Sequence, residues 1–213
     1  MKNKSRKEII LHPLLSFLVI ILILVIMRIT PLWDYSGYVV AVLFIYLPTF
    51  FERDNEVLAF NLSFSILKKS LPLILLLCLT LYPIAIAFIF LTQKIFNLEV
   101  EFKIPPRPTE TLLSHIFAVA IPEELFFRGF LQGRLNQIFE KKFTFKGTSF
   151  GYGLFISNLL FAISHLVAFL HPFRIAVFFP GIIFGYLRER YSSILPPAIF
   201  HALSNVLLAF ILK

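Results

Sequence analysis

Apolar residues run along this chain in long blocks, not in alternation with polar ones, and short charged clusters separate the blocks. An apolar helix of about 17–25 residues is long enough to cross the hydrocarbon core of a bilayer. Seven segments fit that description: about 13–29, 36–51, 71–91, 111–131, 152–170, 173–187 and 195–212. The second and sixth are short, so the pattern allows about six to eight crossings, and 173–187 suits a tilted or partly inserted piece. The fold class this predicts is all-α, a polytopic transmembrane helix bundle. The first block follows the basic stretch KNKSRK, yet Pro31, Trp33 and Asp34 come after it where a secretory cleavage site would need small residues. It therefore reads as a retained membrane anchor. Between the third and fourth blocks, LEVEFKI predicts a short strand-like piece and PPRP a rigid turn.

Composition strengthens this picture. Of 213 residues 58% are hydrophobic, 27 of them Phe, above the roughly half-apolar content of soluble domains. The net charge of +8 sits in clusters between apolar blocks, which favours a topology signal over a nucleic-acid patch. With the N-terminus inside, the inner loops hold thirteen basic residues, from Lys2 to Arg190. The outer segments hold six, Arg28, Lys94, Lys103, Arg107, Arg174 and Lys213. That bias predicts an N-inside, C-outside integral membrane protein, with the bacterial inner membrane as its expected location. Cys78 stands alone within an apolar run, so no disulfide framework or cysteine metal site is available.

Against this background the polar residues inside the blocks stand out. Only Glu123 and Glu124 of the twelve acidic residues lie deep within a predicted span. A charge at the centre of a membrane helix costs about 2.5–3.5 kcal/mol on insertion scales, so it needs a partner or a wet cavity. Glu124 and Arg128 are four residues apart with Glu first, a favourable pair on one helix face. Glu123 is rotated about 100° from it and must look elsewhere. His165 in FAISHL, with Phe161 one turn earlier, and His201 and Asn205 in FHALSN fall at similar depth in later spans. A carboxylate beside an imidazole can hold a water and remove its proton. A second imidazole and an amide N–H can donate to a developing oxyanion. The set suits amide hydrolysis by activated water without a covalent intermediate. Taken singly, each residue also suits interhelical hydrogen bonding, and Glu124 with Arg128 suits a structural pair. His12, His115 and His171 lie near membrane edges and read as interfacial or capping residues. Arg134 reads as part of the inner positive cluster.

These residues carry a family resemblance. PEELFFRG matches the E-E-x-x-x-R signature of the CAAX protease and bacteriocin-processing (CPBP) family of intramembrane proteases. FAISH resembles its F-x-x-x-H motif and HALSN its H-x-x-x-N motif, in the family's order, over roughly residues 111–212. The resemblance implies a glutamate-dependent endopeptidase with Glu123 as general base and His165 as its partner in activating water. His201 and Asn205 would stabilise the oxyanion, and Glu124 and Arg128 would order the site. It also implies a division into N-terminal transmembrane helices and an outer loop, 1–110, and a catalytic core, 111–213, within one membrane domain. The expected partners are the lipid bilayer and a membrane-anchored peptide or protein tail, with no nucleic acid. No cofactor or metal is implied. The segment 179–205 further resembles the sortase-like (myxosortase-type) bacterial branch, which processes C-terminally anchored surface proteins, so the alternative it implies is sorting or transfer of such proteins.

Other chemistries compete. GTSFG, Gly147 to Gly151, fits the G-x-S-x-G expression of serine hydrolases, which demands a strand–turn–helix elbow with Ser at its apex. Here Thr148 or Ser149 is expected to cap the helix that follows. A zinc peptidase stays open because Glu and two His are plausible ligands, although no H-E-x-x-H occurs. An aspartyl mechanism does not fit, since the only aspartates are Asp34 and Asp54 in or near loops. A non-catalytic immunity, chaperone or transport protein would use the same cluster as a binding pocket or proton path.

Overall fold

In the computed structural model, residues 6–212 are described. They form eight helices and one small hairpin: α1 (Arg6–Arg28), α2 (Ser36–Phe51), α3 (Asn55–Leu58), α4 (Phe64–Thr92), α5 (108–136), β1 (Phe143–Phe145), β2 (Thr148–Phe150), α6 (Tyr152–Phe169), α7 (Phe178–Tyr191) and α8 (Leu195–Ile211). Residues 2–5 of the basic stretch KNKSRK lie outside the described residues, and Arg6 and Lys7 open α1.

All seven predicted segments fall on helical structure, but fewer meet the demands of a span. Among the described residues four helices are long and apolar enough to cross a membrane: Lys7–Arg28, Trp33–Phe51, Phe64–Thr92 and Tyr152–Phe169. α8 is apolar but shorter, Leu195–Ile211. α7 has only 14 residues, about 21 Å at 1.5 Å per residue, against a hydrocarbon core of about 30 Å. α5 is long, but Glu123, Glu124 and Arg128 interrupt its apolar run. Seven full crossings are therefore not shown; four candidate spans and a shorter apolar helix are. The outward faces of α1, α2 and α4 expose Leu18, Leu22, Val42, Leu79 and Leu91, the kind of surface that lipid covers.

α5 is the axis of the molecule, buried without interruption from Glu124 to Leu135 and packed against α1, α2, α6, α7 and α8. Phe126, Phe127 and Phe130 fill its core layer with Phe44 of α2 and Phe161 of α6. Gly129 lets α3 approach closely, since a Cβ there would stand 2.6 Å from the Leu58 carbonyl oxygen. α5 departs from α-helical geometry on both sides of the two glutamates, with π-helical turns at His115–Ala120 and Leu125–Gln132. Pro122 supplies a local reason: it has no N–H to donate and its ring crowds the preceding turn, and a widened turn relieves both.

Two expectations about loops need revision. Thr148 and Ser149 do not cap α6; they belong to β2, with Thr144 opposite Ser149. Lys146 and Gly147 turn the hairpin, both at positive φ (45° and 76°), the conformation two-residue hairpin loops favour. The residue preceding α6 is Gly151, without a side-chain cap. The piece within LEVEFKI is extended, as its alternation suggests. Val100 bridges Leu212, and the Glu101 and Lys103 N–H groups donate to the carbonyls of Ile211 and Phe210. That pairing ties the loop before α5 to the end of α8.

Candidate active site

The sequence places five of the six candidate residues on neighbouring turns of α5 and α8, and the fold brings α6, with His165, against them. Glu124, Arg128 and His201 are buried, and the Glu124 and Arg128 side chains have no exposed surface. Glu124 has two partners. Its Oε2 lies 3.3 Å from Arg128 Nε, as the i,i+4 spacing predicts, and its Oε1 lies 2.9 Å from His201 Nδ1. The second contact was not expected: His201 is held by Glu124, across helices, and not only presented beside Asn205.

Arg128 has a buried charge that would be costly without partners. Nη2 donates to the Gly181 carbonyl at 3.0 Å and to Asn158 Oδ1 at 3.3 Å. The guanidinium carbon lies 4.2 Å from the Phe161 ring centroid and 5.3 Å from that of Phe184, an arrangement stabilised by cation–π attraction. Asn158 in turn donates to the Phe178 carbonyl at 2.8 Å. A glycine is required at 181, because a Cβ there would collide with Asn158 Oδ1 and approach Arg128 Nη2 to 2.9 Å. Asn158, Phe184 and Gly181 lie outside the three motifs. Their only sequence signal is an amide within an apolar helix, in the case of Asn158.

Glu123 points away from this pair, and 17% of its side chain is exposed, so it reaches the space Glu124 cannot. Its Oε2 is 3.9 Å from His165 Nε2 and 3.8 Å from His201 Nε2. Both separations exceed a direct hydrogen bond and suit groups that share a third partner between them. Glu123 Oε2 is also buried and makes no hydrogen bond with the protein. The two imidazoles are oriented from behind. His165 Nδ1 lies 3.1 Å from the Phe161 carbonyl, which, as an acceptor, calls for the proton on Nδ1 and leaves Nε2 toward Glu123. His201 stacks on Phe184, with ring centroids 4.7 Å apart and 16° between planes.

Asn205 is one turn beyond His201 on α8 and half-buried. It forms no hydrogen bond with the other site residues. Among the described residues no three His, Cys, Asp or Glu side chains form a group arranged to hold a metal ion. A cavity of about 280 Å³ leads to Glu123 and His165, walled by Trp33, Val40, Phe44, Ala118, Ser164 and Phe169.

The remaining candidates fall elsewhere. Ser149 is exposed in the hairpin, its hydroxyl 3.2 Å from that of Thr144, with no histidine partner. His171 caps the turn Pro172–Val177 by accepting the Phe173 N–H at 3.3 Å, and His12 stacks on Phe51. Arg134 is not a surface charge. It is buried, ion-paired with Glu52 and donating to the Phe51 carbonyl. A second polar cluster, unexpected from the sequence, centres on Glu189 at the end of α7. Glu189 accepts from Gln132 Nε2, Asn136 Nδ2 and Lys141 Nζ, each at 2.6 Å, and from Arg188 Nη1 at 3.1 Å.

Residues 105–207 match the family model described as Type II CAAX prenyl endopeptidase Rce1-like. Over that stretch, just under half of its length, the chain is similar to CAAX proteases. The matched stretch contains all six candidate residues, and it spans α5 to α8 with the hairpin. No curated protein and no solved structure matches the chain. The chain also has four helices long and apolar enough to cross a membrane, which suits an integral membrane protein.

Proposed function

We propose that the protein is a glutamate-dependent intramembrane endopeptidase that hydrolyses a peptide bond in a membrane-anchored peptide or C-terminal protein tail. The observation that carries this reading is the convergence of Glu123 Oε2 on two imidazole Nε2 atoms, at 3.9 and 3.8 Å, at the end of a cavity.

In this reading Glu123 and His165 Nε2 hold a water between them. Glu123 takes one of its protons as the oxygen attacks the scissile carbonyl carbon. His201, protonated on both nitrogens, donates Nδ1–H to Glu124 and Nε2–H to the oxyanion that forms. Asn205 adds a second donor from the next turn of α8. The proton held by Glu123 passes to the leaving amine, so that water is consumed and two chain ends are released. Arg128 and Glu124 keep the His201 ring in place and do not touch the reacting atoms.

The experiment compares membrane-protein termini by mass spectrometry in cells carrying wild type or Glu123→Gln. New C-termini present only with wild type are expected; identical termini across adequate coverage contradict the proposal. Substrates ending in a short motif, a helix and basic residues would place the protein in the sortase-like branch.

A further inference from the structure

The hairpin between α5 and α6 has no part in the proposed hydrolysis, yet its composition is distinctive. From 137 to 152 the sequence reads QIFEKKFTFKGTSFGY, with five aromatic residues, three lysines and one carboxylate, Glu140. Strand pairing sets Phe143 opposite Phe150 and Phe145 opposite Thr148, so these four share one face of the hairpin. Phe143 meets Phe155 of α6, and Phe145 meets Tyr186 of α7, each with ring centroids 5.9 Å apart. That cover is partial: Phe143 is 41% exposed, Phe145 56% and Tyr152 46%. Apolar surface grouped in this way at the tip of a turn marks a contact surface.

Free cations stand beside it. Lys142 and Lys146 are exposed, and neither ammonium has a hydrogen-bond or ion-pair partner among the described residues. They lie over the Tyr152 and Phe145 rings at 5.9 and 5.7 Å, which leaves their N–H donors open. Other contacts hold the hairpin rigid. Lys141 is paired with Glu189 at 2.6 Å, Arg190 donates to the Lys146 carbonyl at 3.0 Å, and the Tyr186 hydroxyl donates to the Phe145 carbonyl at 3.3 Å. A surface fixed beforehand loses little entropy on binding.

The chain itself sets the hairpin's depth. β2 ends at Phe150 and α6 begins at Tyr152. The 18 residues of α6 cover about 27 Å at 1.5 Å per residue, no more than the hydrocarbon core of about 30 Å. So short a helix crosses only with Tyr152 at the edge of that core, and the hairpin then lies among the headgroups. Aromatic rings favour that layer, and lysines there meet lipid phosphates. We propose that the hairpin Phe143–Phe150 is a docking site for anionic phospholipid, with Phe143 and Phe145 resting on the upper acyl chains and Lys142 and Lys146 receiving the headgroup phosphate; this rests on α6 crossing the bilayer and is independent of the hydrolytic reading.

The test uses the full-length protein, delipidated in nonionic detergent and titrated with phosphatidylglycerol or with phosphatidylcholine of the same acyl chains, bound lipid being counted by native mass spectrometry. Wild type should bind phosphatidylglycerol more tightly. Lys142→Gln and Lys146→Asn should each weaken that binding about fivefold, the effect of one cation at an anionic lipid surface, and leave phosphatidylcholine binding unchanged. Both side chains are exposed, and asparagine tolerates the positive φ of residue 146 (45°), so the fold is spared. Lys68→Gln with Lys69→Gln, exposed on α4, removes the same charge elsewhere and should keep the preference. Equal wild-type affinity for the two lipids, a preference that survives in the double hairpin variant, or an equal loss in the α4 variant overturns the inference. Depth is read separately. Trp33 is the one tryptophan, so Phe145→Trp in a Trp33→Phe background reports from the hairpin alone. In vesicles of the two lipids its emission should be quenched by lipid brominated high on the acyl chain; quenching by aqueous iodide alone contradicts the docking.

Discussion

Glu124 holds His201: the carboxylate that faces Arg128 Nε at 3.3 Å on its own helix places its other oxygen 2.9 Å from the imidazole Nδ1 of α8. One fully buried carboxylate thus joins the two helices and balances the Arg128 charge. Glu124→Gln leaves that charge uncompensated, and breaking a buried pair costs about 3–5 kcal/mol. A lowered melting temperature for Glu124→Gln, read by size-exclusion after heating, is the expected outcome, with little change for Glu123→Gln. Equal losses in the two variants would contradict this division.

His165 makes no ion pair within hydrogen-bond distance, and its Nδ1 contact is to its own helix. Replacing it with Ala should therefore spare the fold while slowing peptide cleavage by about 10²–10⁴-fold, the range for a general acid–base partner. Rates measured on purified, folded variant protein check this.

Two glycines near the site should respond in opposite ways. At Gly181 a methyl group meets Asn158 Oδ1 and Arg128 Nη2, whereas at Gly37, on the cavity wall, it meets nothing within 4 Å. Gly181→Ala is expected to destabilise by about 1–3 kcal/mol through overpacking. Gly37→Ala should leave the melting temperature close to wild type.

Glu189 lies beyond the predicted 173–187 segment. Burial acts against its charge, but Arg188, Lys141 and Gln132 outweigh that and hold the carboxyl below its ordinary value of 4.5. A depressed folded-state value stabilises the protein above pH 4.5, and that contribution fades as the pH falls through the folded value. The stability difference between wild type and Glu189→Gln should accordingly shrink on acidification below pH 4.5. A pH series of unfolding midpoints with a constant difference would count against it.

Ser149 offers a control for the hydrolase motif. It is exposed on β2 and bonded only to Thr144, so Ser149→Ala should cleave substrate at the wild-type rate. Abolished cleavage by a folded variant would instead favour a serine nucleophile.

How much of this was legible in the sequence depends on the range of each contact. The helices could be read because their apolar blocks are long, and Glu123, Glu124, His165 and His201 because charge and imidazole are costly in such blocks. The i,i+4 pairing of Glu124 with Arg128 is local and was predictable. The Glu124–His201 contact joins residues 77 apart and needs the packing of α8 on α5. Arg134 and Glu189 resembled surface charges at span ends; only the fold shows that Glu52 and Gln132, Asn136 and Lys141 enclose them. The hairpin had a signal in the alternation of FTF and the Lys146–Gly147 turn, but the apolar block that follows obscured it. Of the seven expected crossings, hydropathy and length together support four candidates and a shorter fifth helix, because α5 carries charges within its apolar run and α7 is short.

The central claim is that Glu123 takes the proton from the water that attacks the peptide bond. Its most direct test is the cleavage rate of purified Glu123→Gln against wild type, reconstituted in the same bilayer with the same peptide and matched for folding. The account predicts a fall of at least about 10²-fold with an unchanged melting transition. Cleavage by the folded variant at the wild-type rate would contradict it.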